Sequence, residues 1–251
     1  MSCVIFRFYG DLNDFLPEDQ KYKSFSHFFK GQPAVKDIVE SLGIPHPEVD
    51  LLLINGKSSD FSHQLIGGER VAVYPIFESL DVSAISQVRP APPRDFRFTL
   101  DVHLGKLAAY LRMVGFDSHY SNNASQDQLV NDAATESRIL LTFNRKLLMK
   151  KNVDYGYMVR SRDPNLQLAE VLTHFKLVDR LRPFEICLVC NGIVRPVPKE
   201  EVLSSLPKNV LESLAEFHQC PDCGRIYWKG THYQHMNDFI QKIKKKIKID
   251  V

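Results

Sequence analysis

Two Cys-x-x-Cys pairs constrain this chain more than any other feature: Cys187-Leu-Val-Cys190 and Cys220-Pro-Asp-Cys223. Each pair turns two thiolates toward one point, and two pairs supply the four soft ligands of a tetrahedral zinc ion. Gly192 and Gly224 follow the pairs at once or nearly so, letting the backbone turn sharply with amide groups near the sulfurs. Four cysteines leave no open position, so the site reads as structural Zn2+. The competing reading is a pair of redox dithiols, but neither pair sits in a thioredoxin-like strand–helix–strand context. The loop between the pairs, residues 191–219, exceeds the usual zinc-ribbon spacing and is expected to hold a helix over residues 202–217. The fifth cysteine, Cys3, reads as a small core residue of the first strand.

A formal net charge of +2 excludes a polycation, so any affinity for nucleic acid must come from local clustering of charge. With 44% hydrophobic residues the chain can bury a sizeable core. No run of about 18 apolar residues exists to cross a bilayer, and the alternating N-terminal run does not read as a signal peptide. The expectation is a cytoplasmic protein with no membrane association, in a compartment where thiols favour metal over disulfide.

Three segments separate by pattern. Residues 1–80 read as strands at 4–9 and 21–29, a short helix from Pro33 stopped by Gly43, and strands at 51–54 and 70–76; Asn55-Gly56 marks a tight turn. That order suggests a small β-grasp (ubiquitin-like) domain. A Pro-rich linker at 81–94 follows, held extended by its prolines. Residues 95–182 alternate strand and helix: strands at 96–100, 138–142 and 157–161, helices at 104–114 and 145–150, a capping box opening at Ser125, and an Asp163-Pro164 start to a further helix. Such alternation implies a parallel sheet with helices on its faces. Residues 183–251 hold the cysteine pairs and end in a basic tail, QKIKKKIKID.

Within the middle segment, Asp101 follows a strand and precedes a helix, where open α/β sheets keep their sites. Asp127 falls in the first turn of the capped helix, and Asn144 stands two residues past the strand at 138–142. If these strands are neighbours, the three residues share one crevice. Oxygen ligands gathered there suit Mg2+ or Mn2+ and the activation of water against a phosphodiester. The plainer reading is that Asp101 caps the next helix and Asp127 complements a helix dipole. Lys106, Arg112 and Arg145 are candidates to neutralise phosphates beside such a crevice, or else solvated surface charges. Lys106 and Arg112 are off a common helix face and need not act together.

The run from Asp101 through Asp117 (DVHLGKLAAYLRMVGFD), followed by Arg138-Ile-Leu-Leu-Thr142, resembles the RNase family named after the C-terminal part of the worm Mut-seven exonuclease. CLVCNG, CPDCGRIYWKG and the residues from Thr231 to Met236 are similar to that family's zinc ribbon. GIPHPEVDLLLINGK and RVAVYP resemble the ubiquitin-like domain often fused in front of it. The resemblance covers nearly the whole chain. It implies an α/β PIN-like three-layer domain, preceded by the β-grasp domain and followed by the zinc ribbon. It also implies that Asp101, Asp127 and position 144 are metal-site positions. The family pattern there is Thr-x-Asp, whereas this chain has Thr142-Phe143-Asn144. An amide still offers an oxygen but removes a negative charge, which lowers metal affinity and puts cleavage in question. The β-grasp segment also resembles sulfur carriers, but its Gly67-Gly68 is internal, so no terminal thiocarboxylate can form there.

Around the second cysteine pair, Arg225, Tyr227, Trp228, Lys229, His232 and Tyr233 interleave basic and aromatic groups, a composition that stacks unpaired bases or, alternatively, packs a small ribbon core. Trp228, Lys229 and His232 join Lys106, Arg112 and Arg145 as candidate RNA-binding residues. The resulting expectation is an RNA-binding, metal-dependent ribonuclease with a structural zinc ribbon. The alternatives are a non-catalytic RNA-binding or ribosome-associated protein, and a scaffold that meets a protein partner through its β-grasp domain.

Overall fold

The computed structural model describes residues 1–76, 82, 84–88 and 95–249. In chain order its elements begin with strands β1 (Ser2–Phe8) and β2 (Phe25–Phe29), helix α1 (Val35–Ser41), and strands β3 (Leu51–Ile54), β4 (Lys57–Ser58) and β5 (Arg70–Tyr74). Next come β6 (Phe98–Leu100), α2 (Gly105–Met113), β7 (Ser118–Tyr120), α3 (Gln126–Thr135), β8 (Ile139–Thr142), α4 (Arg145–Leu148), β9 (Gly156–Met158) and α5 (Pro164–His174). The last are β10 (Arg195–Val197), α6 (Lys199–Val202), α7 (Lys208–Ser213), β11 (Phe217–Gln219), β12 (Ile226–Trp228) and α8 (Thr231–Ile249). Two compact units result: Met1–Asp95 with Ala124–Val159, and Phe96–Asn123 with Arg160–Val251.

In the first unit a five-stranded sheet runs in the order β2-β1-β5-β3-β4. The central β1–β5 pair is parallel and its neighbours are antiparallel. The alternation in β1 gives the sheet one packed and one open face: Val4, Phe6 and Phe8 are buried while Ile5 and Arg7 face out. Asn55 (φ 50°) and Gly56 (φ 81°) take the two left-handed positions of the turn from β3 to β4. Of the expected linker, Val82 is buried and the Ser86 hydroxyl donates to the Asp50 carbonyl at 2.6 Å. Part of that stretch thus packs on the sheet's own edge; residues 81, 83 and 89–94 lie outside the described residues.

The same unit holds the segment from α3 to β9. Ser125 and Gln128 form the expected capping box of α3. Strands β8 and β9 pair in parallel, and Leu129, Leu140, Leu147, Leu148 and Val153 make a core of their own. Met158 packs against both this core and that of the β-grasp sheet. The turn His46–Glu48 supplies the polar join: the buried Glu48 carboxylate accepts the Met158 amide at 2.5 Å.

In the second unit β6 and β7 pair in parallel, α2 packs on α5 and β7, and β10-β11-β12 form an antiparallel ribbon sheet. The short strand β7 was not read from the sequence. The helix expected over 202–217 is instead two short helices, α6 and α7, because Pro207 cannot continue a helix and caps the second. The basic tail is the end of the 19-residue α8. Its Ile240, Ile243 and Ile247 recur at helical spacing and are buried, and Phe239 lies 4.9 Å from the Tyr110 ring.

Candidate metal centre and nuclease site

The two cysteine knuckles repeat one backbone design. Cys187 N–H donates to Gly192 O at 2.7 Å and Asn191 N–H to Cys187 O at 3.1 Å. Cys220 N–H donates to Arg225 O and Gly224 N–H to Cys220 O, both at 2.9 Å. The left-handed position just after the second cysteine is filled by Gly224 (φ 73°) in one knuckle and by Asn191 (φ 71°) in the other. Gly192 is needed for another reason: a Cβ there would lie 2.0 Å from the Asp222 carboxylate and 3.0 Å from Cys220 Sγ. A glycine is expected at both turns; asparagine takes one of them.

The four sulfurs lie within 4.8 Å of one another, with Cys187–Cys223 at 3.6 Å and Cys190–Cys220 at 3.3 Å. Tetrahedral Zn–S bonds of about 2.3 Å need sulfurs about 3.8 Å apart, so the cluster fits zinc with small adjustments. Cys187 ionises first. Burial opposes its thiolate, but the Cys190 and Val189 amides and the Tyr227 hydroxyl outweigh that and bring the pKa to about 6. Burial pushes Cys190 up to about 12 beside the other sulfurs. Tyr227, which the sequence left open between stacking and packing, places its hydroxyl 3.0 Å from Cys187 Sγ while accepting Leu188 N–H at 3.2 Å. Burial and that sulfur raise its own pKa.

Arg112 differs most from expectation. It is buried, so it does not present itself to phosphate. Its guanidinium donates twice to Ser118 O, at 2.9 and 2.7 Å, and to the Leu188 and Val189 carbonyls at 3.2 and 2.8 Å. Asn191 completes the join: its side chain accepts Ser118 N–H at 2.7 Å and donates to Asp117 at 2.5 Å. Helix α2 and strand β7 thus hold the first knuckle. Sequence reasoning missed Asn191; the signal available was a non-glycine residue at a position the knuckle turn wants left-handed.

The expected nuclease residues occupy element ends. Asp101 follows β6, is buried, and accepts His103 N–H at 2.8 Å. Asp127, in the first turn of α3, has an exposed side chain and pairs with Lys150 at 3.2 Å. Asn144 caps α4 by accepting Lys146 N–H at 3.1 Å. Asp127 and Asn144 belong to the first unit and Asp101 to the second. Lys106 is exposed on α2, with its ammonium 5.7 Å from the Tyr110 ring centre. Arg145 is exposed at the start of α4, near Gly43. On the ribbon, Trp228 packs against the core of Val202, Leu211 and Phe217. Lys229 pairs with Glu216 at 2.7 Å and His232 is exposed. Among the described residues, the cysteines are the one group of three or more Cys, His, Asp or Glu gathered closely enough for a metal.

Residues 96–240 match the Mut7-C RNAse domain and residues 1–81 match the Mut7-C ubiquitin domain. The chain belongs to the Mut7-C RNAse family. Its N-terminal domain is ubiquitin-like, as the strand order implied. Among solved structures the chain is similar to small archaeal modifier protein 1 of H. volcanii: 16% identity over 30% of this chain and 98% of that one, with a TM-score of 0.24. No curated protein matches. Among the described residues, no helix of this Mut7-C chain is long and apolar enough to cross a membrane.

Proposed function

We propose that this chain is a metal-dependent ribonuclease in which residues 95–182 fold as a PIN-like three-layer domain and zinc holds the ribbon in a structural role. The observation that carries this is the RNase family match over residues 96–240. Asp101, Asp127 and Asn144 would hold Mg2+ or Mn2+, whose preference for oxygen fits two carboxylates and an amide. When bound, such an ion supplies an acidified water and offsets charge on the phosphodiester. The chain's own residues bind and orient the RNA. Lys106 and Arg145, both exposed, face the phosphates, while Trp228, Lys229 and His232 hold RNA at the ribbon. Cytoplasmic location and a protein partner for the ubiquitin-like domain are part of the same reading.

One observation favours a second reading, a non-catalytic RNA-binding or ribosome-associated protein: the Asn144 oxygen caps α4 and brings no charge to an ion. An RNase assay with added Mn2+ or Mg2+ separates the two. The first reading expects RNA cleavage by the wild type that Asp101→Asn abolishes. Absence of cleavage by the zinc-loaded wild type, with cleavage appearing in Asn144→Asp, selects the second.

A further inference from the structure

The lysines of α8 lie beyond the residues that match the RNase family, which end at 240. Residues 242–248 read KIKKKIK, a local excess of positive charge far above the chain's net +2. Sequence pattern alone leaves two uses for such a helix, since basic amphipathic helices also lie on membranes. The structure separates them. Ile240, Ile243 and Ile247 are buried against the protein, where α8 packs on α5, so among the described residues of α8 no apolar face is free to enter a bilayer. What remains outside is charge: Lys242, Lys245 and Lys246 are exposed, as are His232 and His235.

Helical geometry aligns several of these groups. At 100° per residue, His232, His235, Lys242 and Lys246 fall along one flank, about 21 Å from first to last. Asp238 is the one acid in the helix. At the amino end of that flank, a pocket of about 380 Å³ opens between β12 and the first turn of α8, lined by Arg225, Trp228, Gly230, His232, Tyr233 and Met236. It combines an indole, a guanidinium and an imidazole in a space that admits a planar ring. The pocket and the flank share His232, so they form one continuous surface.

We infer that this surface is a track for single-stranded RNA. One unpaired base enters the pocket against Trp228, and the adjoining phosphates run along the lysine flank of α8. The inference deepens the ribonuclease reading and rests on RNA being the ligand. It adds a sequence-independent grip outside the cleavage residues, one that favours unpaired strands because a base must leave its stack to enter the pocket.

The test measures binding of a fluorescein-labelled oligouridylate of about 15 nucleotides, across a range of salt and with no divalent ion added. Loss of two phosphate contacts in the Lys242→Gln/Lys246→Gln variant should flatten the log–log salt slope by about 1.4. The Trp228→Ala variant should bind about 5- to 150-fold more weakly, with the slope kept; Arg225→Gln probes the same pocket without touching the ribbon core. Equal slopes for wild type and the lysine variant overturn the track even if the wild type cleaves RNA. Tighter binding to vesicles of equimolar phosphatidylserine and phosphatidylcholine than to the oligonucleotide also overturns it. Binding with the expected slopes but no cleavage with Mn2+ leaves the track standing and removes the nuclease reading. No binding at all removes both.

Discussion

The Arg112 guanidinium donates to the Val189 carbonyl at 2.8 Å, tying helix α2 to the loop between Cys187 and Cys190. Burial lowers the pKa of this arginine, while Cys187, Cys190, Asp117 and Tyr227 work against that shift. Replacing it leaves the buried Ser118 carbonyl and the part-buried Leu188 and Val189 carbonyls with fewer donors, and charged hydrogen bonds of this kind contribute about 1.5–3 kcal/mol each. Arg112→Met should therefore lower unfolding free energy by about 3 kcal/mol and loosen zinc, measured by urea titration and by transfer of zinc to a colorimetric chelator. Arg112→Lys should recover only part of the loss, because an ammonium cannot reproduce the planar fork.

Zinc uptake should release protons, and the thiol chemistry says how many. Cys187 ionises near 6, Cys190 is held near 12 and Cys223 is also raised, so the last two are thiols at pH 7. Binding as thiolates then expels at least these two protons. Affinity should fall steeply as pH drops from 8 to 6, by a factor of about 10² or more per unit. Chelator competition at several pH values checks the slope, and Cys187→Ser should remove both zinc and the cooperative unfolding of the ribbon.

Much of this was legible in the sequence because local chemistry decided it. Two Cys-x-x-Cys pairs, the Ser125 capping box and the Asn55-Gly56 turn each specify structure within a few residues, and each is found. What escaped depends on partners distant in the chain. Nothing near Arg112 in sequence announces Val189, and an arginine on a helix reads equally well as a phosphate ligand. Lys242–Lys248 read as a tail because charge dominates the run; the buried isoleucines show their role only once α5 is there to receive them. The packing of residues 124–159 with the ubiquitin-like domain in one compact unit also has no local signature. It arises where Met158 meets the core of the ubiquitin-like domain.

That last contact predicts a failed truncation. Glu48 is buried and its carboxylate accepts the Met158 amide, so the ubiquitin-like domain satisfies a backbone donor at the end of β9. A fragment beginning at residue 95 should lose the segment from α3 to β9 as an ordered element, seen as rapid amide exchange across residues 126–158. In the full chain, Glu48→Ala should cost about 2–4 kcal/mol by stranding a buried donor, and Glu48→Gln, which keeps an acceptor, should cost less. Independent folding of the fragment with protected β8 and β9 amides would refute the dependence.

His46, two residues before Glu48, gives the same junction a pH response. It is buried, with Nδ1 2.6 Å from Glu40 and its ring edge-on to Phe61 at 6.1 Å. Burial lowers its pKa and Lys36 adds to that, while Glu40 and the Val153 backbone oppose it. An unfolded histidine titrates near 6.5, so between that value and the lower folded pKa the unfolded chain binds more protons. Stability from this group is therefore complete above about pH 6.5 and is lost as pH falls through the folded pKa, at a slope of at most about 1.4 kcal/mol per pH unit. Comparing urea-derived stabilities of wild type and His46→Gln between pH 7.5 and 5 isolates the contribution. The variant should be less stable at pH 7.5, where it loses the Glu40 contact, yet show a shallower decline toward pH 5. Parallel curves for the two proteins would assign the acid sensitivity to other groups.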